Sequence, residues 1–300
     1  MGDQFWWFYD VLAAAIILVS MFIAGRQGAV KAMTNFVAYL LAGVIALSLS
    51  GTLGAALAGS AMKDSNSKKI SNSLSSVKFN VKVAEYIQTL DYGVSVEPGQ
   101  IAKIYADKKD YNTEIYKYLN KRKGRNIGDD QETFNTKLTE GYAQIIKAIV
   151  AEDMNKYASE VAAKEVREHP IKFNELIPLL MDKETKGPAA DFISENYVQP
   201  AYDTIIKLIC FIVVFVLLLL LTLYFAKTLI GDSYQELHLP QQIGGSFIGI
   251  MKAAVLILAL AVVVRLSVVL GSNEMLFFNH KAINKTYIFK YLYKYVSNNV

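Results

Sequence analysis

The chain has 300 residues, of which 53% are hydrophobic, and a formal net charge of +4. Its 31 basic and 27 acidic residues nearly cancel, so nucleic acid is not a predicted partner. The single cysteine, Cys210, excludes an internal disulfide and argues against a cysteine-based metal site. Because apolar residues concentrate at both ends of the chain, the composition predicts a membrane protein with a polar middle segment.

Two hydrophobic stretches near the N-terminus predict a first pair of transmembrane helices, over about residues 5–24 and 33–59. The first stretch begins with the aromatic cluster Phe5–Tyr9, which is typical of a helix anchored at the membrane interface. The MGDQ segment before it has no lysine or arginine, which favours a retained helix over a cleaved signal peptide. The link Gly25–Ala32 is too short for a domain and predicts a tight helical hairpin.

The polar segment of residues 61–199 predicts a mainly helical inserted domain. It opens with a connector rich in serine, asparagine and lysine. Apolar residues then recur at helical spacing, as in Ile101, Ile104 and Tyr105. We expect three to five helices and little or no sheet. Burial of their apolar faces against one another is favoured over binding flat on the membrane surface.

Two further hydrophobic stretches predict a second pair of transmembrane helices, over about residues 203–226 and 246–270. No charge occurs from Leu208 to Ala226, and a hydrocarbon core needs roughly 20 apolar residues to be crossed. The tail of residues 272–300 is aromatic and basic, which favours an interfacial helix over a short strand. The predicted fold is therefore an all-α membrane protein with four transmembrane helices and a polar, mainly helical insertion.

The lysine and arginine residues of the short loops predict the orientation in the membrane. Arg26 and Lys31 lie in the first link, whereas the N-terminal segment before the first helix has no basic residue. This places the link in the cytoplasm and the N-terminus, the insertion and the C-terminus outside. The basic C-terminal tail favours the opposite orientation.

Small residues spaced four apart recur in the hydrophobic stretches, which places them on one helical face. Such faces predict close helix packing and leave self-association open. Glycine and alanine are also simply common in membrane helices, which is the alternative interpretation. The candidate packing residues are Gly25, Gly28, Gly51, Ala55, Gly59, Gly245, Gly249 and Ala253.

Four ionisable residues lie in or near the hydrophobic stretches and are candidates for function. They are Asp10, Lys207, Lys252 and Arg265. A charge at the centre of a membrane helix costs roughly 2.5–3.5 kcal/mol, so such residues are rarely incidental. For the first three we favour snorkelling to the headgroups, because each lies near a predicted helix end. Arg265 is predicted near the opposite interface from Lys252, and a pair between Asp10 and Arg265 remains open.

The sequence contains none of the common catalytic or cofactor-binding motifs. A Walker lysine, a nucleophile elbow, an HExxH zinc motif and a dinucleotide-binding glycine loop are all missing. The three histidines, His169, His238 and His280, are scattered without metal-ligand spacing. We therefore predict a protein that is not an enzyme and binds neither cofactor nor metal.

The order of several residues at the two ends of the chain resembles the colicin V production protein (CvpA) family. The matching residues are Asp10, Ser20, Gly25, Gly28 and Lys31 in the first hairpin, and Phe211, Phe215, Leu239, Gly245, Gly249 and Lys252 in the second. Ala253 stands where the family usually has glycine. The resemblance covers about residues 5–59 and 200–270 and leaves out the insertion.

The resemblance implies a bacterial cytoplasmic-membrane protein with four transmembrane helices, and it carries over no catalytic residue. It leads us to predict a non-enzymatic role in toxin production or export, or in envelope homeostasis. The expected partners are the lipid bilayer, further copies of the chain, or an envelope or secretion protein. Two alternatives remain open: an oligomeric small channel or transporter, with Lys252 or Arg265 lining an anion path, and a membrane-anchored docking module.

Overall fold

All regular structure in the described part of the chain is helical, which confirms the all-α part of the predicted fold. The computed structural model describes residues 5–107, 110–182, 184–230, 238–271, 273 and 278–299, without the side chains of residues 58–61, 223 and 226–230. In chain order the helices are α1 (Phe8–Ala61), α2 (Lys63–Ser75), α3 (Phe79–Thr89), α4 (Pro98–Asp107), α5 (Tyr111–Lys123), α6 (Gln131–Asp153), α7 (Lys156–Glu168), α8 (Pro170–Met181), α9 (Gly187–Ile193), a π-helical turn (Ser194–Val198), α10 (Gln199–Ile230), α11 (Leu239–Leu270), α12 (His280–Lys285) and α13 (Phe289–Asn299).

The chain divides into two compact units. Unit 1 comprises Met1–Leu57 and Asp203–Val300, and unit 2 comprises Ala58–Tyr202. Among the described residues, three helical stretches are long and apolar enough to cross a membrane: Phe8–Leu57, Gly187–Thr222 and Leu239–Leu270. Because soluble helices have no reason to be apolar over such lengths, these stretches fit an integral, multi-pass membrane protein.

The helix α1 is interrupted at Gly28, which has φ 77° and ψ 163°. A positive φ of this kind is accessible to glycine at little cost, because glycine has no Cβ. Residues 8–27 and 29–61 therefore form two helical halves. The link predicted over residues 25–32 is wrong in length, since helix continues on both sides of a single glycine.

The first half of α1 runs antiparallel to α11. A Cβ on Gly249 would lie 2.5 Å from the carbonyl oxygen of Ser20. A Cβ on Gly245, one turn earlier in α11, would overlap the carbonyl oxygen of Ala24. Residue numbers thus rise along this half of α1 as they fall along α11.

The second half of α1 runs parallel to α11. Gly244 faces Ala29, whose Cβ lies 3.2 Å from a Cβ built on the glycine. Val255 faces Gly43, because a Cβ built on that glycine would lie 3.7 Å from Cγ1 of the valine. Since the two halves run in opposite directions along α11, the chain reverses at Gly28 and forms a helical hairpin.

The second pair of long helices is longer than the sequence predicts. α10 begins at Gln199 rather than residue 203, and α11 begins at Leu239 rather than residue 246. In α11 a proline occupies the first turn, where its missing N–H group costs nothing because that group has no partner inside the helix. The polar residues after His238 are therefore helical, whereas the sequence predicts this helix only from about residue 246.

The described part of the C-terminal tail is mainly helical and packs within unit 1. α13 buries Phe289, Tyr293 and Val296. The ring of Phe289 stacks on Tyr9 at the start of α1, with centroids 4.8 Å apart. The alternative of a short strand for residues 272–300 is wrong among the described residues.

Unit 2 is built around α6, whose buried apolar face includes Phe134, Leu138 and Ile146. An aromatic cluster joins α6 to the neighbouring helices, with Tyr142 stacked on Phe173 at 4.7 Å. The hydroxyls of Tyr142 and Tyr105 lie 3.1 Å apart in the core. Burial raises the pKa of both phenols above the usual value, so both stay neutral at physiological pH.

The described part of unit 2 contains the eight helices α2–α9, rather than the three to five that were predicted. In the sequence, the apolar pattern of residues 142–166 continues at helical spacing without interruption, but α6 ends at Asp153 and α7 begins at Lys156. Asn155 causes the break, because its side chain accepts a hydrogen bond from the N–H of Ala158 at 2.8 Å. This N-cap starts a new helix without disturbing the apolar periodicity.

Candidate functional site

Most of the predicted small-residue contacts are made within unit 1 itself. Gly245 and Gly249 pack directly against the backbone of α1, as described above. A Cβ on Gly25 would lie 2.5 Å from Oγ of Ser246. Ala253 is fully buried. These residues bring α1 and α11 close together, whereas Gly28 serves as the turn.

The second small-residue set makes no such contact within the described chain. Gly51 has no atom within 4 Å of the position of a Cβ, and Ala55 is exposed. Gly59 lies outside the residues whose surroundings are described. Gly51 and Ala55 therefore bring no two helices of this chain together, and their packing against another copy of the chain stays a prediction. Gly54, which the spacing pattern did not single out, packs against Lys207 instead, with a Cβ position 2.6 Å from Cγ of the lysine.

Asp10 holds the start of α13 rather than simply reaching towards headgroups. Its carboxylate accepts hydrogen bonds from the backbone N–H groups of Tyr287 at 2.6 Å, Ile288 at 3.1 Å and Phe289 at 3.1 Å. The first N–H groups of a helix have no partner inside it, and the helix dipole favours a negative charge there. Asp10 thus satisfies a helix end that lies far along the sequence.

Lys252 and Arg265 have different surroundings within unit 1. The ammonium of Lys252 lies 4.3 Å from the centre of the Tyr39 ring, in a cation–π contact between α11 and α1. Arg265 lies close enough to α12 to influence His280. Burial and, secondly, repulsion from Arg265 lower the pKa of His280 below its usual value.

Lys207 lines a cavity of about 310 Å³ inside unit 1. The cavity lies between the second half of α1, α10, α11 and α13. Its other lining residues are Leu47, Ser50, Gly51, Phe211, Leu258, Val262, Tyr295, Val296 and Asn299. The four elements thus surround one half-buried lysine with mainly apolar side chains.

The ammonium of Lys207 has no hydrogen-bond or ion-pair partner among the residues that the structure describes. Gly54 makes room for its aliphatic stem, because any side chain at that position would overlap Cγ. A half-buried ammonium without an ion-pair or hydrogen-bond partner among the described residues leaves a positive charge for an anion to neutralise. The sequence marked Lys207 as a candidate, but nothing in it indicated the cavity.

Unit 2 carries a surface groove of about 290 Å³ between α3 and α6. Tyr86, Ile145 and Glu152 are among its lining residues. Gly141 on α6 lies directly under the ring of Tyr86, where any Cβ would overlap the ring. The Tyr86 hydroxyl donates to the carbonyl of Lys137 at 2.9 Å, so the ring is fixed in the wall of the groove.

Charged groups in unit 2 form local networks. The carboxylate of Asp129 accepts from Lys137 at 2.6 Å and from the Tyr92 hydroxyl at 2.7 Å. These hydrogen bonds lower the pKa of Asp129. Glu140 binds Arg167 through two hydrogen bonds of 2.6 and 2.9 Å, which lower the pKa of Glu140.

No group of three or more metal-ligating side chains occurs among the described residues. Comparison with protein-family models, curated proteins and solved structures finds no match to this chain. The resemblance to the CvpA family therefore stays a prediction.

Proposed function

We propose that this protein crosses a bacterial cytoplasmic membrane four times and acts without catalysis in toxin production or export, or in envelope homeostasis. Its polar unit would dock an envelope or secretion partner. The observation that carries the proposal is the reversal of α1 at Gly28. Each half has about 20 residues or more, enough to cross a hydrocarbon core. Together with α10 and α11 this makes four crossings.

The docking role rests on the construction of unit 2. It has its own apolar core and a groove beside α6, and its charged residues form ion pairs such as Lys147 with Glu160 at 2.6 Å. A surface built in this way suits recognition of another protein. The groove would supply an apolar contact, and the surrounding charges would orient the partner.

A second candidate, an oligomeric channel or transporter, is favoured by one observation. Lys207 places a positive charge without a described partner inside the membrane-crossing unit. Charges that face the interior of a membrane unit occur along ion and substrate paths. Reconstitution of the purified protein in liposomes tests this candidate, because it requires anion flux that is lost in Lys207→Gln and retained in Lys290→Gln.

Single-cysteine labelling tests the four crossings. In a Cys210→Ala background, Val30→Cys and Ser65→Cys place thiols at exposed positions on either side of the second crossing. With a membrane-impermeant maleimide on intact cells, we expect Ser65→Cys to react and Val30→Cys to react only after permeabilisation. If residues 8–57 formed a single crossing, Val30→Cys would lie within the bilayer and resist labelling in both conditions. The proposed orientation is contradicted if only Val30→Cys reacts in intact cells.

Photo-crosslinking tests the docking role. A photoreactive residue in place of Lys82, which lines the groove, should give a discrete crosslinked product in intact cells. The matched control is the same residue in place of Lys164 on α7, which does not line the groove. Loss of the gene should also alter envelope-stress tolerance or toxin secretion. Unchanged phenotypes together with no product at Lys82 would contradict the proposal.

A further inference from the structure

We infer that the cavity around Lys207 binds a phospholipid whose headgroup carries a net negative charge, with a phosphate oxygen on the lysine ammonium. The proposal concerns a binding site in unit 1 and does not depend on the docking role of unit 2. It goes beyond snorkelling, because it requires one located site with a preference among lipids.

The first argument is charge. The Lys207 ammonium is half buried and has neither a hydrogen-bond nor an ion-pair partner among the described residues. Loss of water around an ammonium is unfavourable unless an anion or several acceptors replace it. A phosphate oxygen would supply both the opposite charge and the hydrogen-bond acceptors.

The second argument is the composition of the cavity walls. Phe211, Leu258 and Val262 provide apolar surface, and the polar groups are few. Ser50 is buried, but its hydroxyl already donates to the carbonyl of Leu47 at 2.9 Å. A free inorganic phosphate would leave most of this apolar surface without a partner. A molecule with one anionic group on an apolar body matches both parts of the wall.

The third argument is the position of the cavity along α10. Lys207 lies one turn after Asp203 and immediately before the uncharged stretch Leu208–Ala226. It therefore lies where the polar and apolar parts of this helix meet, which is the depth at which phospholipid phosphates are found. A bilayer lipid is then the nearest source of the required anion.

Native mass spectrometry of the full-length protein in detergent micelles tests the proposal. The probes are phosphatidylglycerol and phosphatidylcholine, added separately and in equal mixture. We expect the wild-type chain to retain phosphatidylglycerol with a preference of about tenfold, the size of one charge-assisted contact. Lys207→Gln should reduce this preference to within about twofold, because the charge is lost.

Three further variants separate the site from a general effect of charge. Gly51→Leu keeps Lys207 and fills the cavity from a position where a Cβ meets no atom, so it should also abolish the preference. Lys207→Arg keeps the positive charge, so this variant should retain the preference for phosphatidylglycerol. Lys290→Gln removes a lysine that lies over Tyr291 and does not line the cavity, so it should also retain the preference. If Lys207→Gln fails to fold, Gly51→Leu alone tests whether the lipid binds in this cavity.

Several results would overturn the proposal. Equal binding of both lipids by the wild-type chain would mean that the cavity is not selective for the anionic headgroup. An undiminished preference in both Lys207→Gln and Gly51→Leu would place the site elsewhere. Complete displacement of phosphatidylglycerol by inorganic phosphate, with no dependence on the lipid, would identify a site for a soluble anion instead.

Discussion

Single atoms decide how closely the membrane helices of unit 1 approach. Gly249 illustrates this, because its missing Cβ leaves room for the backbone of Ser20. We expect Gly249→Ala to push α1 and α11 apart and to destabilise unit 1 by about 1–3 kcal/mol, the usual cost of overpacking. The thermal midpoint of the detergent-solubilised protein measures this. The control Gly51→Ala adds the same methyl group in open space, and its midpoint should be unchanged or slightly raised. Equal losses in both variants would contradict the packing argument.

Asp129 gives unit 2 a stability that depends on pH. Hydrogen bonds from Lys137 and Tyr92 lower the pKa of this carboxyl in the folded chain. The stabilisation that these hydrogen bonds give the folded unit 2 is therefore complete above the unfolded pKa of about 3.9. It is lost as the pH falls through the lower pKa that Asp129 has in the folded chain. We expect the wild-type unit 2 to lose hydrogen-exchange protection below about pH 4, and Asp129→Asn to be less stable at pH 7 but less sensitive to acid. Glu85→Gln, which removes an exposed ion pair with Lys82, should leave the acid sensitivity as it is.

At the scale of elements, the helix α13 depends on a residue from the start of α1. Asp10 accepts three backbone hydrogen bonds at its N-terminus, so Asp10→Ala should destabilise α13 by about 1–2 kcal/mol. Hydrogen exchange of the amides of residues 287–293 should become faster by about tenfold. Exchange in α12 is the internal control, because Asn279 caps that helix through Ala282 at 2.8 Å. Equal acceleration in both helices would indicate general loosening instead of the loss of a cap.

The boundaries of elements show where sequence patterns stop being informative. The hydrophobic stretches predicted where helix occurs in unit 1, because apolar residues over 20 positions have few alternatives in lipid. The same patterns did not show that α1 would break at Gly28 alone, since glycine is common in such helices. They also did not show the end of α6, where Asn155 caps α7 without changing the apolar period.

At the scale of the whole molecule, unit 2 has the contacts of an independent domain. Its first and last helical segments are joined by an ion pair between Lys63 and Glu195 and by a hydrogen bond from Ser67 to Asp191. We expect the excised segment Ala58–Tyr202 to be helical and to unfold cooperatively in water without detergent. Circular dichroism during heating measures this. A segment that aggregates, or that unfolds without a transition, would contradict the independence of the core.

What the sequence by itself determined is the helical class, the apolar character of the chain ends and the polar middle segment. These follow from composition and periodicity, which act locally along the chain. The tertiary structure decided that α1 folds back on α11, that Asp10 caps α13 and that Lys207 lies in a cavity. Each of these depends on groups distant in sequence, and their meeting is set by packing and by satisfaction of backbone donors.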